Sequence, residues 1–236
     1  MSNGKHIVVL TGAGISAESG LKTFRDGDGL WDGQDVNDVA TPEAWSRNPA
    51  FVLDFYNLRR RQALAARPNE AHRLLAKLEA WYRVTIVTQN VDDLHERAGS
   101  THVLHLHGEI TKARSERDES MLVDVAGDIR MGDAAPDGAQ LRPHVVWFGE
   151  AVPMLGAAAD MMAAADIFIL IGSSLQVYPA AGLIHDVPDP IPKYLIDRVI
   201  PPVDGIPNLV KIEKTATEGM RTVFELLQGQ PVGGGS

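Results

Sequence analysis

The sequence predicts an α/β protein, a doubly wound parallel sheet carrying a smaller inserted domain. Three observations predict it. Apolar runs at 5–10, 83–88, 166–171, 193–196 and 209–212 have the length of buried strands. Segments with helical spacing lie between them, and strands alternating with helices build a parallel sheet covered on both faces. The first run ends in Thr11-Gly12-Ala13-Gly14-Ile15-Ser16-Ala17, the G-x-G-x-x-A spacing of a strand, turn and helix start that can cradle phosphate.

Taken in order, residues 5–10 read as the first buried strand. An ordinary dinucleotide fold would place its second strand, ending in an acid, about 20 residues further on. Here residues 26–45 are rich in Gly, Asp and Asn and read as loop. Residues 49–66 then space Phe51, Phe55 and Leu58 as a helix does, and 69–81 do the same with Leu74, Leu75 and Leu78. The next strand is 83–88, so a helical module sits between the first two strands. A second irregular stretch, 111–141, has many charges and little apolar periodicity; its Arg114, Glu116, Arg117, Asp118 and Glu119 suit either a charged hairpin or a solvated run. Strands at 166–171, 193–196 and 209–212 precede a closing helix at 218–227. The chain thus divides into a discontinuous Rossmann-like domain (1–24, 83–106 and 144–230) and a small inserted domain (25–82 and 107–143). Residues 231–236 read as a flexible tail, and there is no internal repeat.

Composition narrows the function. With 44% hydrophobic and 22% charged residues, the 236-residue chain suits one good core rather than a disordered polymer. No apolar run is long enough for a membrane span. The N-terminus passes straight into Ile7-Val8-Val9-Leu10, too short for a signal-peptide core, so the chain reads as cytoplasmic with no membrane partner. A net charge of −9 argues against gripping nucleic acid and is compatible with a lysine-rich peptide. The absence of cysteine removes disulfides, thiolate nucleophiles and cysteine-ligated zinc together.

In a parallel sheet the ligand sits beyond the carboxyl ends of the strands. Those ends carry Gly12, Ala13, Gly14 and Ser16, then Gln89-Asn90-Val91-Asp92, then Gly172-Ser173-Ser174, then Asp197. Polar loop caps would explain one such cluster, whereas four at one edge favour a dinucleotide crevice. In Thr101-His102-Val103-Leu104-His105-Leu106-His107-Gly108-Glu109, alternation puts His105 and His107 on one face. No fourth metal ligand lies close in sequence. The glycine after His107 is read as leaving room for a substrate to reach one imidazole acting as general base.

These residues resemble the sirtuin family, most closely the bacterial and mitochondrial branch that includes lysine desuccinylases. The matching blocks are Gly12-Ala13-Gly14-Ile15-Ser16-Ala17-Glu18-Ser19-Gly20, Thr23-Phe24-Arg25 and Thr88-Gln89-Asn90-Val91-Asp92-Asp93-Leu94-His95. They continue with His105-Leu106-His107-Gly108-Glu109, Val145-Val146-Trp147-Phe148-Gly149-Glu150 and Gly172-Ser173-Ser174-Leu175-Gln176-Val177-Tyr178-Pro179, in family order. The resemblance implies an NAD-dependent protein lysine deacylase that yields nicotinamide, free lysine and O-acyl-ADP-ribose. Gly12, Ala13 and Gly14, with Ser16 and Ala17, would hold the pyrophosphate; Thr23, Phe24 and Arg25 would lie on the loop over the cofactor. Gln89 would bind ribose, Asn90, Val91 and Asp92 would line the nicotinamide pocket, and His107 would take a proton from a ribose hydroxyl. Gly172, Ser173, Ser174, Asp197 and Ala216 complete the implied cofactor site. Val145, Trp147, Phe148, Gly149 and Glu150 on one side, and Leu175 and Val177 on the other, would hold an acyl-lysine protein or peptide as an added strand. Ala40 would keep the acyl channel open, and Tyr56 and Arg59, three apart on one helix face, would read an acidic acyl group. A monomer is expected.

Two departures stand out. Sirtuins typically carry four zinc-binding cysteines between the catalytic histidine and the block at Val145, whereas 111–141 holds neither cysteine nor histidine, so no metal is expected. Asp197 stands where many relatives have asparagine. Two enzymatic alternatives use the same scaffold, ADP-ribose transfer to protein and plain NAD hydrolysis. An NAD-binding sensor without turnover is a third, and it would need neither His107 nor Asp92.

Overall fold

The structure is a computed structural model that describes residues 4–23, 30–31 and 34–229; Phe24, Arg25 and the tail at 231–236 lie outside the described residues. The chain opens with β1 (His6–Thr11), then runs through the antiparallel pair β2 (Leu30–Trp31) and β3 (Gln34–Asp35). Four helices follow: α1 (Val36–Val39), α2 (Pro42–Arg47), α3 (Pro49–Ala65) and α4 (Glu70–Leu78). Next come β4 (Arg83–Thr88), α5 (Leu94–Ala98), β5 (Val103–His105), β6 (Gly108–Ser115), β7 (Leu122–Asp124) and β8 (Leu141–Val145). The chain closes with α6 (Leu155–Ala163), β9 (Ile167–Ile171), a 3-10 segment Ala180–Asp186, β10 (Lys193–Asp197), β11 (Leu209–Glu213) and α7 (Ala216–Gly229).

Six strands form one parallel sheet in the order β11-β10-β9-β1-β4-β5, as the doubly wound reading expects. Alternate side chains of these apolar strands point to opposite faces. Ile7, Val9, Ile86 and Ile169 meet Leu75 and Leu78 of α4 and Met220 and Val223 of α7 on one face. Val8, Leu10, Phe168 and Leu170 meet Met162 of α6 and Leu183 and Ile184 on the other. Each such side chain contributes about 1.5–3 kcal/mol on burial. Because β9 lies on one side of β1 and β4 on the other, the loops after these strands converge at one edge.

Four expectations change. Residues 26–45 are not all loop, since β2, β3, α1 and part of α2 fall there. The local chemistry accounts for the helices. Asp35 accepts from the Asn37 N–H, Thr41 from Ala44 and Asn48 from Phe51, with Pro42 and Pro49 at the first helical positions. The turn after β1 opens two 3-10 turns, Ala13–Ile15 and Ala17–Ser19, in place of an α-helix start. The helix expected over 69–81 ends at Leu78, with a capping box of Asn69 and His72 at its start.

The fourth change matters most. The stretch 111–141 is only partly irregular: β7, β6 and β8 form an antiparallel sheet in that order, with Arg114 pairing across the hairpin to Glu119, while 116–121 and 125–140 stay without regular strand or helix. Helix α3 organises it. Asn57 donates to the Ile129 carbonyl at 2.8 Å and accepts from the Ile129 N–H at 2.9 Å. One turn on, the buried Arg60 donates Nε–H to the Ile110 carbonyl at 2.7 Å and Nη1–H to Asn57 Oδ1 at 2.7 Å and to the Gly127 carbonyl at 3.3 Å. Leu53, Ala113 and Ile129 form a small apolar core beside this clamp. Among the described residues no group of three or more His, Asp or Glu is arranged to hold a metal ion.

Candidate active site

The loops after β1 and β9 meet backbone on backbone. Gly12 N–H donates to the Ile171 carbonyl and Gly14 N–H to the Gly172 carbonyl, at 3.0 and 2.9 Å. A Cβ on Gly14 would lie 2.6 Å from Gly172 Cα, and one on Gly12 would lie 2.6 Å from the Gly172 oxygen. Gly172 also has φ +64°, a left-handed conformation that glycine adopts without cost. The two loops thus pack main chain on main chain, an approach that only glycine permits at these positions.

The loop after β4 reaches the same place. Its successive carbonyls are each held from one side: Gln89 O by His107 Nδ1 at 3.0 Å, Asn90 O by His105 Nδ1 at 2.9 Å, and Val91 O by the Ile110 N–H at 2.8 Å. The polar side chains turn the other way. Ser16 Oγ donates to Asp92 Oδ2 at 3.0 Å and accepts from Asn90 Nδ2 at 3.2 Å, while Gln89 Nε2 donates to Ser173 Oγ at 3.0 Å. Burial pushes the Asp92 carboxyl above its ordinary pKa, opposed by bonds from the Leu94 N–H and Ser16. A buried chain behind it, His95 to Thr11 to Thr88 to the Asn90 N–H, fixes the loop from below.

His107 is the base candidate by geometry. A carbonyl only accepts, so Nδ1 carries the proton and Nε2 is left with its lone pair. Burial lowers the imidazole's pKa, with the Gln89 bond opposing, so the ring is neutral at neutral pH. His107 lines the cavity; His105 does not, its Nε2 being 2.8 Å from Glu96 Oε1. The glycine after His107 serves packing rather than substrate access: Gly108 has φ +81°, and a Cβ there would strike the His144 carbonyl of β8.

The glycine turn, the polar side chains of the loop after β4 and His107 face one cavity of about 530 Å³. Gly12, Ala13, Gly14, Ser16, Ala17, Thr23, Gln89, Asn90, Val91, Asp92, Gly172, Ser173, Ser174, Asp197 and Ala216 line it, as do Ala40, Arg59, Val145, Trp147, Phe148, Gly149, Glu150 and Val177. Two expected residues do not. Tyr56 is fully buried, its ring centroid 6.3 Å from that of Trp147, and burial raises its phenol pKa. Leu175, at φ +54°, packs against the sheet-face cluster. Sequence reasoning missed Lys22, Gln62, Ile110 and Arg198 in the lining; Gln62 sits three residues after Arg59 on a helix already recognised, a spacing that signals a shared face.

The segment 145–150 is fixed to both sides. Val146 N–H donates to the His107 carbonyl and Phe148 N–H to the Ala40 carbonyl, each at 2.9 Å. Glu150 accepts from Arg142 at 2.8 Å, from Arg114 at 3.2 Å and from the Trp147 N–H at 2.8 Å. Arg142 Cζ lies 3.3 Å from the centre of the Trp147 ring, a cation–π contact. These bonds hold the Glu150 carboxyl below its usual pKa against the opposing effect of burial.

A family model described as Sir2 matches residues 12–179. The chain belongs to the Sir2 family. Two curated relatives of this Sir2 chain bear the name NAD-dependent protein deacylase. The protein from Bacteroides thetaiotaomicron is 52% identical, over 96% of this chain and 100% of its own length. The one from Helicobacter pylori is 51% identical, over 94% and 97%. Among solved structures, a Sir2 homolog–NAD complex superposes with a TM-score of 0.85 at 36% identity, covering 95% of this chain and 90% of its own. A Sir2 homologue mutant bound to ADP-ribose superposes with a TM-score of 0.87 at 37% identity, covering 96% and 94%.

Proposed function

We propose that this chain is an NAD-dependent protein lysine deacylase acting on acyl-lysine proteins or peptides. One observation carries the reading. A single cavity joins the glycine cradle and the Ser16–Asn90–Asp92 cluster, past the free Nε2 of His107, to a pocket lined by Ala40, Arg59 and Trp147. The residues fit a dinucleotide: the glycine turn after β1 borders the cavity, as a pyrophosphate cradle must, and the buried amide of Asn90 and carboxylate of Asp92 suit a carboxamide.

Bound NAD supplies a nicotinamide–ribose bond whose cleavage opens the ribose to attack by an acyl oxygen. The chain's own residues do the rest. Gly12, Ala13 and Gly14 hold the pyrophosphate, Gln89 a ribose, and Asn90 and Asp92 the carboxamide. His107 Nε2 accepts a ribose hydroxyl proton, general-base help usually worth 10²–10⁴-fold. Residues 145–150 and 174–178 bracket the peptide as an added strand. Arg59 meets the far end of the acyl group, which favours succinyl or malonyl over acetyl, while Tyr56 acts from behind by fixing Trp147. On this reading the enzyme works as a cytoplasmic monomer without nucleic-acid or membrane partners; among the described residues no helix is long and apolar enough to cross a membrane.

Mass spectrometry of NAD incubated with the protein and a succinyl-lysine peptide tests the proposal. O-acyl-ADP-ribose with free lysine peptide supports it. Free ADP-ribose or modified protein would point to hydrolysis or ADP-ribose transfer, and unchanged NAD to a sensor.

A further inference from the structure

Two histidines two residues apart make the same bond to consecutive carbonyls, yet meet opposite surroundings. His107 donates Nδ1–H to Gln89 O, and its Nε2 faces the cavity. His105, the last residue of β5 and the register partner of Thr88, donates Nδ1–H to Asn90 O at 2.9 Å. Its Nε2 lies 2.8 Å from Oε1 of Glu96, on the helix α5 that begins just after Asp92. A carbonyl and a carboxylate both only accept, so both ring nitrogens of His105 must be donors and the ring carries a charge. The His105 side chain is 8% exposed, so the ring itself is shielded, while the Glu96 carboxylate that it meets is 41% exposed.

The charged groups that face His105 are Glu96 of α5, Glu109 of β6 and Asp92 of the loop after β4. His95 of α5 lies near it as well, held neutral by burial, and Lys112 is paired with Glu109 at 2.8 Å. Burial alone would lower the His105 pKa; the bond and charge of Glu96 outweigh it and raise the pKa. The same positive charge favours ionised Asp92, against the burial that opposes it.

Building on the deacylase reading, we propose that His105 is a charged positioning residue. Pinned by Glu96, it grips the Asn90 carbonyl and thereby sets the angle at which Asn90 and Asp92 meet the nicotinamide end of NAD. Among the described residues no carboxylate meets the Nε2 of His107, and burial keeps that ring neutral. One tether, with and without an acid behind it, makes a holder of one histidine and a base of the other.

Three variants test this: Glu96→Gln, His105→Asn and His105→Leu. Side-chain nitrogen–proton correlation spectra report the protonation of each ring, and calorimetry reports NAD affinity at pH 8 and pH 6. In the wild type, His105 should show two N–H groups at pH 8 and His107 one. In Glu96→Gln, His105 should lose a proton by pH 8, and NAD binding should weaken about ten-fold, the worth of one charge-assisted bond. Affinity should return towards wild type at pH 6 as the ring recharges. His105→Asn and His105→Leu should bind weakly at both values, the leucine variant more so. A merely structural His105 would shift the unfolding temperature but give no such recovery. A single N–H on wild-type His105 at pH 8, or Glu96→Gln binding like wild type at both pH values, overturns the proposal. Peptide turnover is scored separately: wild type that binds NAD but removes no acyl group would sink the deacylase reading and leave this one standing.

Discussion

Replacing Asn57 by alanine should loosen the small sheet. Asn57 makes both main-chain bonds to Ile129, at 2.8 and 2.9 Å, and accepts from Arg60 at 2.7 Å. Ile129 is 2% exposed, so its N–H and carbonyl would stay buried without partners. An orphaned buried group costs about 1–3 kcal/mol, which gives about 3–5 kcal/mol for the pair with the weakened Arg60 bond. For a chain of this size, 1 kcal/mol shifts Tm by about 2–4 °C, so a fall of about 10 °C is expected. Asn57→Asp keeps the acceptor for Ile129 N–H and Arg60 but loses the donor, and should lose about half as much. Thermal unfolding measures the magnitude, and amide hydrogen exchange locates it: residues 127–131 should lose protection while β1 and β9 keep theirs. A Tm within about 2 °C of wild type, or loss of protection spread evenly over the chain, would refute the clamp.

His107→Ala should lower deacylation by about 10²–10⁴-fold while NAD affinity by calorimetry stays within a few-fold; a variant retaining a third of wild-type turnover would remove His107 from the base role. The neutral imidazole is the active form and burial lowers its pKa, so wild-type kcat/KM should be full at neutral pH and fall only as pH drops below the ordinary histidine range. An acidic limb centred above pH 7 would contradict that assignment. Arg59→Met should cost about ten- to a hundred-fold in kcat/KM on succinyl-lysine peptide and little on acetyl-lysine peptide; equal losses would mean that Arg59 reads no acyl charge. Elemental analysis should find no stoichiometric zinc, and chelator should leave Tm unchanged; about one zinc per chain would overturn this.

The large sheet was legible because its strands are continuous apolar runs. Arg83–Thr88 begins and ends where the apolar pattern does, and β9 starts one residue later than its run suggests. The cavity was legible for the same reason, since a parallel sheet gathers its strand ends and the glycine, Asn90 and Gly172 blocks follow strands. The small sheet was hidden. Its order comes from Asn57 and Arg60, polar residues on a helix more than fifty positions away, and no local periodicity encodes such a contact. The pair Thr41-Pro42 has the chemistry of a helix start, but it lies in the stretch 26–45, whose composition favoured loop, and the helix there was not expected. Tyr56 shows the limit of spacing arguments. It shares a helix with Arg59, but the ring of Trp147 stands beside it and only Arg59 reaches the cavity.

The Asn57–Ile129 contact spans 72 residues, and the pairing of β1 with β4 bridges a comparable gap, 77 residues between Thr11 and Thr88. On a ribosome these distances become waiting times. At about 5–20 residues per second, α3 emerges about 4–14 s before the segment that satisfies it. During that interval Asn57 and Arg60 have only each other and water as partners, and the apolar side of α3 has no sheet to cover. A metal site would not shorten the wait, because its ligands would lie in the late segment as well. What the clamp changes is the material at hand: once residue 129 has left the tunnel, the main-chain partners of Asn57 and Arg60 are all present in the chain's own length.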